Sequence, residues 1–129
     1  MVGGTRGEMA FRVEEIPDED KILHRVHRAM WLDAQRRPSS ACFKKKPQLS
    51  GNWARYSGVE HTRNQDSAAV VSFTAGTWRS FGQEVRHSPI EPGEPFGPNQ
   101  AHAEVIGEKD QVLADRTARR ASIEWVSGE

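Results

Sequence analysis

The chain has 129 residues, in which 18 Lys and Arg balance 18 Asp and Glu, with a mean hydropathy of -0.74 and a single cysteine. That length suits one domain, and Cys42 alone excludes both an intramolecular disulfide framework and a cysteine zinc cluster. No apolar run approaches the ~20 residues that cross a bilayer, and the polar start lacks the apolar core of a signal peptide. We therefore expect a soluble, cytoplasmic protein with no membrane contact.

Residues 1–9 carry three glycines and no hydrophobic periodicity, which predicts a flexible tail before a single α+β domain at 10–129. In the segment 22–27, Ile22, His24 and Val26 alternate with three residues on the other side, a period of two that predicts a strand. The run 41–43 predicts a further short strand. Ser50 is a candidate N-cap, and the spacing of Trp53 and Tyr56 favours a short helix over 52–57.

The second half of the chain supplies most of the predicted sheet. The apolar run 68–73 predicts its most buried strand, Thr74 caps a short helix over 75–81, and strands are expected at 84–87, 101–106 and 123–126. Acidic residues early and arginines late predict a helix over 108–121. The fold class is therefore α+β: a small mixed or antiparallel sheet covered by one longer C-terminal helix and one or two short helices. Its predicted core includes Leu23, Val70, Val71, Phe73, Val85, Val105, Leu113 and Trp125.

Prolines at 89, 92, 95 and 98 recur with a period of three, the period of a polyproline II helix. Such a segment can dock into an aromatic groove. A rigid loop between two strands is the simpler interpretation, and we favour it.

Histidine chemistry is one route to a catalytic site. The five histidines match no metal-binding spacing, and His102 with Glu104, two apart on one strand face, is the best pair. Such pairs on a half-exposed sheet are more often structural. We predict no metal site and no cofactor.

Hydroxyl and thiol groups are a second route, because Ser39 and Ser40 follow a proline and Cys42 lies just beyond them. No nucleophile-elbow motif accompanies them, and serines beside a proline usually form turns. The order Arg25, Ser39 or Ser40, and Glu104 is similar to that of a subset of ADP-ribosyltransferases, although their Ser-Thr-Ser form is absent. That resemblance implies that Arg holds the dinucleotide phosphates, Ser supports the nicotinamide pocket and Glu stabilises positive charge on the ribose.

The zero net charge is a cancellation between segments. Residues 1–20 carry a net charge of -4, residues 21–63 carry +8 and residues 64–129 carry -4. Cations with interspersed aromatic residues suit phosphates and unpaired bases, which makes single-stranded nucleic acid or an acidic protein the predicted partner. The predicted contact residues are Arg36, Arg37, Lys44, Lys45, Lys46, Trp53 and Tyr56.

Several short stretches occur in a recognisable order: Leu23-His-Arg-Val-His27, Pro38-Ser-Ser-Ala-Cys-Phe-Lys44, Trp53-Ala-Arg-Tyr56, Gly82-Gln-Glu-Val-Arg-His-Ser-Pro89 and Asn99-Gln-Ala-His-Ala-Glu-Val-Ile-Gly107. This order resembles small bacterial proteins with no assigned activity, over most of the chain from about residue 16 to residue 125. The resemblance implies a single-domain bacterial protein and brings no catalytic residue or cofactor with it.

Two functions follow as expectations. The charge segregation favours a non-catalytic binding or accessory module that contacts an acidic partner through its basic 21–63 segment. The alternative is a small enzyme of ADP-ribosyltransferase-like or histidine-based chemistry. The sequence leaves open whether the protein is catalytic, and it leaves the oligomeric state open as well.

Overall fold

A computed structural model describes residues 10–128; the predicted tail at 1–9 lies outside the described residues. The strands are β1 (Lys21–His27), β2 (Trp31–Leu32), β3 (Arg37–Pro38), β4 (Gln48–Trp53), β5 (Ser67–Thr74), β6 (Glu84–His87), β7 (His102–Ile106) and β8 (Ser122–Val126). Six of them form one antiparallel sheet in the order β6-β7-β4-β1-β5-β8, and the two short strands β2 and β3 pair separately.

Three α-helices and two single 3₁₀ turns complete the described part of the chain. The helices are α1 (Val59–Thr62), α2 (Ala75–Ser80) and α3 (Gln111–Arg120), and the 3₁₀ turns span Arg28–Met30 and Ser40–Cys42. The predicted α+β class with its longer C-terminal helix is confirmed, and the sheet is antiparallel. Within residues 10–128 the longest helix has ten residues, and none has the length and apolar character that a membrane crossing requires.

One face of the sheet carries the core. Along β1, Ile22, His24 and Val26 are buried on this face, and β5 contributes Val71 and Phe73. Rings from β5, α2 and the segment after the second 3₁₀ turn meet edge to face or tilted, with centroids of Phe73 and Trp78 4.7 Å apart. Aromatic pairs in these geometries add to the gain from area burial, so this face is the stable base on which the strands are fixed.

Six of the eight predicted core residues are buried: Leu23, Val70, Val71, Phe73, Val85 and Val105. Leu113 and Trp125 are only half-buried. Leu113 lies on α3 at the border of its exposed face, and Trp125 belongs to the edge strand β8. An edge strand has a neighbour on one side only, so its residues are covered less completely.

Local signals explain the confirmed helices. The Asp110 carboxylate accepts the backbone N–H of Leu113 at 2.9 Å and begins α3, while the Thr74 hydroxyl accepts the N–H of Thr77 at 3.1 Å and begins α2. Both are N-caps that satisfy an otherwise free donor of the first turn. Small residues of α3, Ala114 and Ala118, then pack against the core.

Two predicted elements are wrong. The helix over 52–57 is absent: β4 extends to Trp53, and a turn follows in which the N–H of Tyr56 donates to the Trp53 carbonyl at 3.0 Å. The strand over 41–43 is instead a 3₁₀ turn capped by Ser39. In β4, pairing with strands on both sides outweighs the local helix signals, since propensity is easily overridden by tertiary context.

The proline-rich segment is a folded loop between β6 and β7, as the simpler interpretation predicted. Ile90 and Asn99 pair across its base, with N···O distances of 2.9 and 2.8 Å in the two directions. Between them the chain makes successive turns, in which Glu94 N–H donates to Glu91 and Gly97 N–H donates to Glu94. The prolines therefore do not form a straight polyproline II ladder.

Candidate functional site

A cleft of about 840 Å³ lies at the separation of the two central strands. β1 pairs with β5 along its whole length, but with β4 only at Ile22↔Trp53 and Leu23↔Asn52. Beyond that point both strands contribute to the cleft wall, β1 through residues 23–25 and 27, and β4 through residues 48–52. The sheet therefore has an opening in its middle rather than at its edge.

Other elements close the sides of this cleft. They supply polar, apolar and aromatic side chains from the first 3₁₀ turn, the segment after β3, α1 and its following loop, the start of β5, the 88–101 loop and β7: Met30, Cys42, Phe43, Lys46, His61, Thr62, Asn64, Asp66, Ser67, Ile90, Phe96, Asn99 and His102. The volume lies in the range of small-molecule sites.

Strand alternation places Arg25, Ser50 and Glu104 on one face of the sheet, the face opposite the core. Ser50 pairs with Glu104 across β4 and β7. Arg25 is two residues from Leu23, which pairs with Asn52, itself two residues from Ser50. Since side chains on one strand face recur every second residue, the three side chains lie on the same face of three neighbouring strands; Arg25 and Ser50 line the cleft, and Glu104 lies beside Ser50 outside the lining.

A chain of hydrogen bonds joins Ser50 to Glu104. The His102 Nδ1 atom lies 2.9 Å from the Ser88 carbonyl oxygen and 3.0 Å from the Ser88 hydroxyl. Because a carbonyl only accepts, Nδ1 carries the hydrogen, which leaves Nε2 to accept from the Ser50 hydroxyl at 3.3 Å. The Ser88 hydroxyl donates to Glu104 Oε1 at 3.2 Å. The predicted pair His102 and Glu104 is thus linked through Ser88.

Arg25 reaches across the cleft wall toward α1. Its Nη1 donates to the Thr62 carbonyl at 3.3 Å, and the residue is otherwise exposed. A guanidinium has five donors, so this single bond orients the side chain and leaves donors for an anionic ligand. Lys46 also lines the cleft, where Asp66 is the acidic lining residue.

The cleft floor is held by a buried amide. Asn52 donates from Nδ2 to the Thr62 hydroxyl at 3.0 Å and accepts at Oδ1 from Asn99 at 2.9 Å. These two bonds tie α1 and the 88–101 loop to β4. Buried polar side chains that are fully paired in this way fix one arrangement of the elements around them.

His24 lies on the core side of the same opening and is 3% exposed. Its Nδ1 lies 3.0 Å from the Ser50 carbonyl oxygen, and Trp78 Nε1 donates to its Nε2 at 3.3 Å. Burial lowers the pKa of His24 to about 4, because a charged imidazole would lose its hydration there. The ring is therefore neutral at pH 7.

The predicted serines do not take part. Ser39 caps the second 3₁₀ turn by accepting the Ala41 N–H at 3.2 Å, and the Ser40 hydroxyl accepts from Gln111 at 3.0 Å. Neither residue lines the cleft. Ser50, predicted only as a helix N-cap, instead lies on β4 between Arg25 of β1 and Glu104 of β7.

Cys42 lines the cleft but is buried, and burial raises the pKa of its thiol to about 11. The thiolate is the nucleophilic form of cysteine. Cys42 is therefore an inert packing residue at neutral pH.

The predicted contact residues of the basic segment are dispersed. Trp53 is fully buried on the core face, where its ring contacts Tyr56 and His87, and the Tyr56 hydroxyl donates to Glu14. Arg37 donates to the Pro38 carbonyl at 3.3 Å. Lys44 is half-buried, and Arg36 is exposed. Lys45 is exposed and has a left-handed backbone, φ 57°. Of this set, Lys46 lines the cleft.

Four of the five histidines, His24, His27, His61 and His102, line the cleft. His87 lies outside it, buried and bonded to the Glu14 N–H and the Gln100 carbonyl, and His61 on α1 is bonded to the Ser57 hydroxyl. Among residues 10–128 no group of three His, Cys, Asp or Glu side chains is arranged to hold a metal ion.

Fold and site together define an α+β protein whose central sheet opens into a cleft lined by both polar and apolar side chains. No protein-family model, curated protein or solved structure matches the chain. That result agrees with the resemblance to proteins without an assigned activity.

Proposed function

We propose that the protein is a small ADP-ribosyltransferase-type enzyme that binds NAD in the central cleft. The observation that carries the proposal is that Arg25, Ser50 and Glu104 lie on one face of three neighbouring strands, with Arg25 and Ser50 in the cleft lining. These are the residue types, in the chain order, that the resemblance implies, with Ser50 in place of Ser39 or Ser40.

Each side chain has a role that its surroundings suit. The free donors of the Arg25 guanidinium bind the pyrophosphate, for which the planar fork is well matched. Ser50 lies between Arg25 and Glu104 and supports the nicotinamide end. Glu104, oriented by the Ser88 hydroxyl, stabilises the positive charge that develops on the ribose as the bond to nicotinamide breaks.

The chemical step needs only NAD and an acceptor. The bond between the ribose C1 and the nicotinamide nitrogen breaks, and nicotinamide leaves with the bonding electron pair. An acceptor oxygen or nitrogen forms the new bond to C1 and loses its proton to solvent. With no acceptor present, water takes this place, and nicotinamide is still released.

This proposal also gives the basic segment a role. Arg25, His27, Lys46 and His61 all belong to residues 21–63 and all line the cleft. Other cations of that segment are paired with acids elsewhere in the chain, as in Lys21 with Glu124 at 2.9 Å and Arg55 with Glu14 at 3.8 Å. The acidic partner that the charge predicts is then a small phosphorylated molecule.

Calorimetric titration of the purified chain tests the binding. We expect NAD to bind the wild type and to bind Arg25→Gln at least about tenfold more weakly, a loss of about 1.4 kcal/mol. Arg119→Gln, which removes an exposed arginine of α3, is the matched control and should bind like the wild type. Salt-sensitive binding of single-stranded polynucleotide, with no binding of NAD, would instead support the non-catalytic module.

A second candidate function rests on the Ser50 to His102 hydrogen bond. A hydroxyl within reach of an imidazole that is oriented by a third group is the arrangement of an activated nucleophile. It would support ester hydrolysis through Ser50. A fluorophosphonate probe separates the candidates: covalent labelling of Ser50 that is lost in His102→Gln supports hydrolysis, and absence of labelling together with NAD binding supports ADP-ribosyl transfer.

A further inference from the structure

We infer that His24 is a positioning residue, which holds Ser50 and Arg25 in place where the two central strands separate. The inference rests on the proposed function for its catalytic consequence. Its structural part is independent of that function: His24 fixes β4 relative to β1 where the backbone pairing of the two strands stops.

The His24 ring connects β1 and β4 at the point where their backbone pairing has ended. The last pair in register is Leu23↔Asn52, and the next residue of β1 is His24. Because the Ser50 carbonyl only accepts, His24 Nδ1 carries the hydrogen and donates to it across 3.0 Å. Nε2 then accepts the indole N–H of Trp78 at 3.3 Å, so both ring nitrogens are used and one tautomer is fixed.

Gly51 makes room for this bridge. A Cβ at position 51 would lie 2.7 Å from Ile22 Cγ2 and 2.8 Å from both the Cε1 and Nδ1 atoms of His24. Those distances are too short for any real contact. The glycine therefore lets the imidazole lie against the backbone of β4.

The bridge acts on two cleft residues at once. It anchors the peptide of Ser50, whose hydroxyl points to the opposite face and bonds His102. Arg25 follows His24 directly in β1, so the same anchor fixes the strand from which the guanidinium extends. Misplacement of reacting groups by about 1 Å can reduce rates about a hundredfold, which is why a buried residue that acts through the strand backbone can control the rate.

Three substitutions separate positioning from packing. In His24→Asn the amide N–H lies near the place of Nδ1 and can still donate to Ser50. In His24→Gln the amide lies near the place of Nε2, toward Trp78, and His24→Leu keeps apolar volume alone. His87→Leu is the control, because His87 is an equally buried histidine, 2% exposed, outside the cleft lining.

We would measure nicotinamide release from NAD at a temperature at which denaturant titration shows each variant to be folded. We expect His24→Asn to keep kcat within about threefold, and His24→Gln and His24→Leu to lose about tenfold or more with a smaller change in KM. His87→Leu should lose stability with kcat unchanged. Equal kcat in all His24 variants of an active enzyme would overturn the inference.

The nitrogen NMR shifts of the wild-type histidines give a readout that needs neither a variant nor activity. A neutral His24 with the hydrogen on Nδ1, coupled across the bond to Ser50, is the expected result. A hydrogen on Nε2 would overturn the inference. If the wild type neither binds NAD nor releases nicotinamide, the proposed function fails, and the NMR result still decides whether His24 bridges the strands.

Discussion

At the scale of single residues, His24 makes the free energy of unfolding depend on pH below neutrality. The pKa of His24 is about 4 in the folded chain, against 6.5 for an ordinary histidine. The unfolded chain therefore takes up a proton near pH 6.5, whereas the folded chain resists until about pH 4. Stability from this group is complete above pH 6.5 and falls as the pH drops to 4, by about 3 kcal/mol in all.

Urea unfolding at pH 7, 5.5 and 4 checks this expectation, with His24→Asn as the reference. Carboxylates also make the folded chain less stable in acid. For example, the Ser72 hydroxyl and Lys21 lower the pKa of Glu124 in the folded chain. The comparison is therefore between the two proteins at each pH. We expect the wild type to lose more stability than the variant between pH 6.5 and 4, and parallel curves would contradict the assignment.

Lys109 gives a dependence of the same sign in the alkaline range. Its ammonium is buried and donates to the carbonyls of Lys46, Val105 and Gly107 at 2.8 to 3.1 Å. Burial lowers its pKa from 10.5 to about 8. Between these values the unfolded chain binds more protons than the folded chain, so stability should rise as the pH increases from 8 to 10.5.

The measurement is urea unfolding at pH 7.5, 9 and 10.5 for the wild type and Lys109→Met. Lys109→Met has no group that titrates at this position. The increase in its free energy of unfolding with pH should therefore be smaller than that of the wild type, by up to about 3 kcal/mol. The same rise in both proteins would show that another group is responsible.

At the scale of elements, β4 is the strand on which the site depends. Gly51→Ala would press a methyl group against Ile22 and His24 at 2.7 and 2.8 Å, and we expect a cost of about 1 to 3 kcal/mol, typical of overpacking. Gly58→Ala is the matched control, because a Cβ there meets nothing within 4 Å. Denaturant titration gives the change in the free energy of unfolding for each variant. An equal, small change in both would mean that β4 moves to accommodate the methyl group and that the hydrogen bond from His24 to Ser50 does not fix its position.

The same strand marks the limit of prediction from sequence. The pattern Leu49-Ser-Gly-Asn-Trp53 has a period of two, with Ser50 and Asn52 on one side, so a strand signal was present. Ser50 as a cap and the spacing of Trp53 and Tyr56 gave a local helix signal, which pairing with β1 and β7 overrides. By contrast, β5 and α3 were predictable, because their apolar run and capped amphipathic pattern agree with their tertiary surroundings.

At the scale of the whole molecule, the site is a product of strand order. β4 lies between β1 and β7, which brings together residues that are 25 and 54 positions apart along the chain, namely Arg25, Ser50 and Glu104. Arg25 and Glu104 could be named as candidates from their residue types and their strands. The serine between them could not, because it is identified by which strands become neighbours and not by any local motif.

The net charge of zero has a structural counterpart at this scale. Ion pairs such as Lys21 with Glu124 join the basic segment to the acidic ones, while Arg25 and Lys46 face the cleft. Exposed pairs contribute little to stability. Under the proposed function, charge segregation along the chain therefore matters more for ligand binding than for the fold.

Release of nicotinamide from NAD by the wild type, Glu104→Gln and Glu108→Gln tests the central claim most directly. Glu108 is an exposed carboxylate four residues further along the chain and serves as the matched control. We expect release by the wild type and Glu108→Gln, and a loss of about a hundredfold or more in Glu104→Gln with NAD binding retained. Equal release by all three proteins, or none by the wild type, would contradict it.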